Sequence, residues 1–478
     1  MGERRPLSLR HADFDGPLLR DAASRRRVST DFGRVFTGMP SAVLQAASAG
    51  DIATAVIAAR AAGLAVAARG RGHSTNGGSL ARGGLVISTA ALSRVGRPHR
   101  GAITAGGGAT WQQLLARTLP AGLTPPIVPD YLDLTIGGVL SMGGLGYQSS
   151  RFGAVADHVL ALTVVTGTGD IVACSPRKHA DLFEAALGGL GHFGVIVEAT
   201  LRLAPAPPHV ISRRYVYRDH AVLLEDMRRL ARAPGADTVC AFDIPNHTAV
   251  VADVLGAAAG GLWIAPWTTP RLWILQVGTY DWGTRKRPAD PGLRLRALPF
   301  VCHRSRESYR AFITRNARRV EVWKQSGLWE VPHPWLTVVL PAREAKGWLD
   351  GALAGTDPAD LTKGPMMMYP LPTVPGRASF LQMPARPPLF RIDIFCSVPR
   401  GRGRSTRAML ARNGRLYADC VARGGVQYPS GALALDPERW RRHYARVWQR
   451  FAAARRRYDP DGIFVPGLTG RSRPLHEE

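Results

Sequence analysis

The chain has 478 residues, 45% hydrophobic and 21% charged, enough apolar material for a globular enzyme of two or three domains. It holds no uncharged apolar run near the roughly 18 residues of a membrane span, and its start, Met1-Gly2-Glu3-Arg4-Arg5-Pro6, lacks the apolar core of a secretory signal, so a soluble, cytoplasmic protein is expected. The formal charge of +26 comes almost wholly from arginines spread along an alanine- and glycine-rich chain; clusters such as Arg25-Arg26-Arg27 and Arg455-Arg456-Arg457 read as solvated helix faces, and no specific nucleic-acid partner is expected.

Residues 51–60 place Ile52, Ala55, Val56 and Ala59 on one helical face, with Asp51 positioned to cap the start and Gly63 to end the helix. Residues 64–68 follow as a short buried strand, then a glycine-rich loop, then a strand at 85–87. Thr110 opens a helix with Trp111, Leu114 and Leu115 on one side. From His158 to Cys174 the pattern is a hairpin around the turn Gly167-Thr168-Gly169-Asp170. Residues 178–187 form another helix, stopped by Gly188-Gly189, and residues 195–203 alternate as a strand. Ala204-Pro205-Ala206-Pro207-Pro208 marks a boundary, beyond which loops lengthen and Trp and Pro become more frequent. A last amphipathic helix is predicted over 438–458, ending before Pro460. This pattern divides the chain into an α+β domain built from both ends, residues 1–205 and 429–478, with a second domain, 206–428, inserted between.

The five cysteines, Cys174, Cys240, Cys302, Cys396 and Cys420, have no C-x-x-C spacing, and no HExxH or clustered histidine motif is present. Neither a disulfide framework nor a catalytic metal is expected. Three glycine segments carry the chemical signal instead. Arg69-Gly70-Arg71-Gly72-His73-Ser74 follows a strand but continues into Thr75-Asn76-Gly77-Gly78 and another strand, so it cannot be the helix-opening fingerprint of a Rossmann fold. Its bare amides can approach a pyrophosphate as an anion nest. Two further segments have the same character: Thr135 to Gly146, contributing Thr135, Gly137, Gly138, Ser141 and Gly143, and Gly188 to Gly194, contributing Gly191 and Gly194, with Val195 and Ile196 of the following strand beside them as cofactor-binding candidates. His73 stands out among the histidines because it lies between two glycine pairs inside such a loop.

Arg69-Gly70-Arg71-Gly72-His73-Ser74 resembles the attachment motif of the vanillyl-alcohol-oxidase-like (PCMH-type) FAD enzymes, in which the histidine bonds to the flavin. Within that superfamily the chain resembles cytokinin dehydrogenase, in Pro129-Asp130-Tyr131-Leu132 with Leu134-Thr135-Ile136-Gly137-Gly138, in Gly327-Leu328-Trp329-Glu330-Val331-Pro332-His333-Pro334-Trp335-Leu336, in Gly364-Pro365 with Tyr369-Pro370, and in Tyr458-Asp459-Pro460 with Pro466-Gly467. The resemblance implies a two-part FAD-binding domain of PCMH type and an inserted substrate domain with an antiparallel sheet flanked by helices. It implies FAD as cofactor, linked through His73 alone, since no cysteine lies in the 135–146 segment. It further implies oxidation of a secondary amine by hydride transfer to flavin N5, Asp130 being the acid/base; the imine then hydrolyses to adenine and an aldehyde. The partners implied are a small amine substrate and oxygen, a quinone or another electron acceptor.

A carboxylate set among Ile127, Val128, Tyr131 and Leu132 would have the raised pKa such a role needs, although Pro-Asp is also ordinary turn chemistry. The resemblance places Trp335, Cys240 and Thr337 at the substrate and Tyr428 at the flavin. Cys240 stands where relatives often carry a glutamate, Thr337 where they carry an asparagine, and Tyr428-Pro429-Ser430-Gly431 replaces a Leu-Pro-His-Tyr segment. These departures leave open another amine or an alcohol of specialised metabolism as substrate. A third alternative, a basic surface-binding protein on a disused flavin scaffold, predicts colourless protein with salt-dependent DNA affinity.

Overall fold

A computed structural model describes residues 12–246, 271–283, 295–298, 302–355, 366–373, 376, 379–398, 405–433 and 437–464. Gly364-Pro365 and Pro466-Gly467 lie outside them. The first layer is a sheet of β1 (Leu18–Leu19), β2 (Ala42–Gln45), β3 (Val66–Arg69) and β4 (Leu85–Ser88), ordered β1-β2-β4-β3. β2 and β3 both pair with β4 in parallel, which requires crossover connections. The helix Ala49–Ala61 makes one of them and buries the stripe Ile52, Ala55, Val56 and Ala59 against that sheet.

The helix start corrects the sequence expectation. Ser48 is the N-cap, its Oγ accepting from the Asp51 amide at 3.1 Å. Asp51 instead turns back to accept from the amides of Asp15, Gly16 and Ala47, because a buried carboxylate is best held by several donors at once. Gly63 follows the helix in the left-handed region, φ +63°, where the absence of a Cβ removes the strain.

Next along the chain are β5 (Ala102–Gly106), the short β6 (Leu123–Thr124), the hairpin β7 (Val159–Thr166) and β8 (Ile171–Cys174), and β9 (Gly194–Arg202). β5-β9-β7-β8 is an antiparallel sheet, and β6 pairs with β10 (Ala204–Pro205) at the proline-rich boundary. Beyond it stands an eight-stranded antiparallel sheet of β11 (His209–Tyr217), β12 (Thr238–Pro245), β13 (Arg271–Asp281), β14 (Cys302–Ser308), β15 (Leu336–Pro341), β16 (Met366–Leu371), β17 (Leu389–Ile394) and β18 (Val426–Gln427). Their order is β14-β11-β13-β12-β16-β17-β15-β18.

Alternation along these strands decides which residues can reach a site. Val239, Ala241, Leu336, Val338, Met366, Met368, Phe390 and Ile392 share a core with Leu223, Met227, Trp348, Leu349, Met409 and Leu416 of the helices His220–Leu230, Ala342–Ala354 and Thr406–Ala422. Their neighbours Cys240, Thr337, Met367, Tyr369, Arg391 and Asp393 therefore face the opposite side.

The predicted C-terminal helix is broken into Pro437–His443, a 3-10 turn Ala445–Val447, and Trp448–Tyr458. At the break, buried Tyr444 stacks on Trp440 and lies tilted against Phe451, and these rings surround His192. Arg455 is also a correction: it is buried, not solvated, and donates to His192 Nδ1 at 2.8 Å while pairing with buried Asp459 at 3.3 Å. Asp459 accepts from the amides of Ile463 and Phe464, and the Val66 amide donates to the Ile463 carbonyl, so this pair ties the chain end to β3. Asp459→Ala strands the Arg455 cation and is expected to lower the unfolding free energy by about 3–5 kcal/mol, read from urea titrations of the two proteins. No helix among the described residues is long and apolar enough to cross a membrane.

Candidate active site

A cavity of about 1050 Å³ lies among β3, the glycine segments and the far face of the eight-stranded sheet, at the upper end of the roughly 300–1,000 Å³ usual for ligand sites. Gly70, Arg71, Gly72, His73 and Ser74 line it, as do Asp130, Thr135, Gly137, Gly138, Ser141, Gly191, Gly194, Val195, Ile196, Trp335 and Tyr428. The structure thus brings together most of the residues singled out from sequence.

The 70–78 turn is shaped by Gly72 and Gly77, both at positive φ, and riveted by Asp31. That carboxylate accepts from Ser74 Oγ at 2.7 Å and from the Gly77 amide at 2.8 Å. Burial raises its pKa, and those two donors and the Arg69 charge oppose the rise. Arg69 is off the cavity wall; it donates to Ser79 Oγ and supports the turn from behind. Arg71 lines the wall but its charge is paired with Asp133 at 2.8 Å.

The second glycine segment is not wholly a loop. Thr135 caps a short helix, Ile136–Ser141, its Oγ1 accepting from the Gly138 amide. A Cβ on Gly70 would stand 2.2 Å from that same hydroxyl, so the first segment can approach the second only as glycine. Gly143 packs on Leu381 and leaves the wall to Gly144. In the third segment a Cβ on Gly191 would meet no protein atom within 4 Å and would project into the space beside the wall.

His73 is half-buried between rings: it stacks on Phe32 at 4.0 Å and 13° and leans on Tyr131 at 4.7 Å. Burial pushes its pKa down to about 4, so the imidazole is neutral near pH 7. The stack continues from Phe32 to His333 and from His333 to Trp323, with Trp329 and Trp335 edge-on or tilted around it.

Asp130 begins at a Pro-Asp turn but does no capping. Its Oδ2 accepts from the Tyr369 hydroxyl at 3.0 Å, and its Oδ1 is buried without a hydrogen-bond partner among the described residues. Burial raises its pKa; Arg391 and then Arg315 pull it back. Arg391 is held by Asp393 and by the Leu145 carbonyl, and its guanidinium lies over the rings of Tyr369 and Tyr428. The Asn316 side chain binds the Asp130 carbonyl at 2.9 Å.

Cys240 and Thr337 share the site-facing side of the sheet but lie behind the wall. Cys240 is covered by Tyr147, Met367 and Tyr369. Thr337 is spent on Asp393 Oδ1 at 2.7 Å and on Ser430 Oγ at 3.0 Å. Sequence reading gave no role to Asp31, Phe32, Asn316, Trp323, Arg391 or Tyr369, although Tyr369 lies in a quoted motif. The residues on the wall fit a flavin dinucleotide: glycines leave room for a diphosphate, and Asp130 Oδ1, Trp335 Nε1 and Gln427 Oε1 are buried polar atoms without partners among the described residues.

Two family models match the chain, an FAD-binding domain over residues 40–175 and "Cytokinin dehydrogenase 1, FAD and cytokinin binding" over residues 293–469. The chain is 34% identical to an uncharacterised oxidoreductase of the fasciation locus of Rhodococcoides fascians, over 91% of this chain and 95% of that one. It is 34% identical to cytokinin dehydrogenase 8 of Oryza sativa subsp. indica, over 95% and 92%. In fold it is similar to the crystal structure of 6-hydroxy-D-nicotine oxidase from Arthrobacter nicotinovorans, with a TM-score of 0.70 at 20% identity, over 95% of this chain and 98% of that one.

Proposed function

The chain belongs to the cytokinin dehydrogenase family of FAD-dependent oxidoreductases, and from that premise we propose that it cleaves the N6 side chain of an N6-alkylated adenine, leaving adenine and an aldehyde. FAD is the cofactor and the fold is α+β of the PCMH type. In this reading residues 1–205 and 429–478 hold the cofactor, residues 206–428 present the substrate, and His73 carries the flavin covalently. Bound FAD would supply the two-electron, hydride-accepting chemistry.

The observation that carries the proposal is the state of Asp130. It is a half-buried residue on the same wall as His73, with one carboxylate oxygen fixed by Tyr369 and the other buried without a partner among the described residues. Such a group can take the N–H proton as the carbon beside nitrogen is oxidised. Tyr369 orients it, and Asn316 holds its backbone, so little motion is needed at the moment of transfer. Trp335, Trp323 and Phe32 offer an aromatic wall against which a purine can stack and which keeps water from the reacting carbon. Water then adds to the imine, and adenine departs as the amine. An electron acceptor closes the cycle.

The test is anaerobic mixing of the purified yellow protein with isopentenyladenine. The visible flavin band is expected to bleach, and adenine and 3-methylbut-2-enal to appear in equal amounts. A band that dithionite bleaches but isopentenyladenine does not would reject the proposal.

A further inference from the structure

The helix Asn316–Gln325 has no buried residue, an odd state for a helix in the interior half of a chain. Its residues Asn316, Arg319, Val320 and Trp323, spaced i, i+3, i+4, i+7, form one face, and that face lines the cavity. Whatever occupies the cavity is therefore the partner of this face. Asn316 fixes the start of the helix to the Asp130 carbonyl, which sets Arg319 one turn further along, on the exposed side.

Arg319 makes no ion pair or hydrogen bond among the described residues, whereas Arg71 and Arg391, also on the cavity wall, are already engaged. Arg71 is paired with Asp133, Arg391 with Asp393 and Arg34 with Glu330, and Glu321 on the same helix accepts from Gln325 at 3.0 Å. Asp130 is tied to Tyr369. One turn back, Arg315 lies 3.7 Å over the Tyr147 ring and donates to the Phe312 carbonyl, with its Nη2 left without a partner among the described residues. Arg315 thus answers to the Asp130 carboxylate, Arg319 stands on the cavity wall with no carboxylate matched to it among the described residues, and at Cys240 the sheet offers a thiol in place of an acid.

A neutral adenine base offers Arg319 ring-nitrogen acceptors but no negative charge to pair with. If the N6 side chain sits at Asp130, N9 lies across the purine ring and points toward the exposed side of the cavity, where Arg319 stands. Resting on the cytokinin-type reading above, we infer that Arg319 binds a phosphate carried on the N9 substituent, so that the preferred substrate class is the N6-alkylated adenosine 5′-monophosphate. The planar guanidinium fork suits a phosphate monoester better than an ammonium would.

The experiment uses the holoenzyme and its R319Q and R319K variants, with isopentenyladenine, its riboside 5′-monophosphate, and adenosine 5′-monophosphate as a ligand without an oxidisable side chain. Wild type is expected to show a kcat/KM at least about tenfold higher for the monophosphate than for the base. That ratio falls about tenfold in R319Q and by less in R319K, and it shrinks as salt rises. Binding of adenosine 5′-monophosphate, followed by perturbation of the flavin spectrum, weakens in step. Equal kcat/KM for base and monophosphate in wild type, or an undiminished ratio in R319Q, overturns the inference while leaving cytokinin-type oxidation standing. Failure of both compounds to reduce a flavin that dithionite reduces overturns the two together.

Discussion

Asp130→Asn is expected to slow flavin reduction by isopentenyladenine by roughly 10²–10⁴-fold, the usual contribution of a positioned general base. The substitution keeps the size of the side chain and an oxygen for the Tyr369 hydroxyl, so FAD content and thermal stability should stay close to wild type. Stopped-flow bleaching at saturating substrate separates the chemical step from binding. A variant within about threefold of wild type would remove Asp130 from the chemistry.

The pH profile gives an independent check of the same carboxylate. Burial raises its pKa above the usual carboxylate range, and the base form exists only above that raised value. The rate should therefore climb with pH through it and then level off. The Tyr369 hydroxyl, by bonding to the ionised carboxylate, holds the pKa down. Tyr369→Phe should shift the acid limb to higher pH, which a role confined to packing would not do.

His73→Ala is expected to abolish acid-stable flavin altogether, because a covalent bond is present or absent and not graded. Trichloroacetic acid should leave the wild-type pellet yellow and the variant's pellet white, with free FAD in the supernatant. The neutral imidazole that burial enforces keeps a ring nitrogen lone pair available for such a bond near pH 7. Phe32→Ala, which removes the ring stacked at 4.0 Å, leaves the nitrogen in place and should lower the fraction linked. A yellow wild-type pellet that stays yellow in His73→Ala would place the attachment elsewhere.

Local chemistry made much of this molecule legible in advance. Period-3.6 and period-2 patterns placed the helix Ala49–Ala61, the hairpin β7–β8 and strand β9 near their observed bounds. The errors arose where a residue had two uses. Asp51 suited an N-cap but was taken by amides from another segment, and the amphipathic helix predicted over 438–458 is interrupted at 444–447, where Tyr444 is buried. The three glycine segments were visible as such, yet only folding showed the second to begin a helix.

By itself the sequence determined the flavin-binding framework, since a turn at positive φ, a glycine that must touch its neighbour and a histidine set between them are all properties of a few adjacent residues. Tertiary structure alone decided how the site is completed. Tyr369 reaches Asp130 across 239 residues and Asn316 across 186, and Cys240 and Thr337 are withdrawn behind the wall. The reason is physical: backbone conformation depends on near neighbours, whereas these meetings depend on the register of an eight-stranded sheet, in which a shift of one residue would turn Tyr369 away from the carboxylate and into the core.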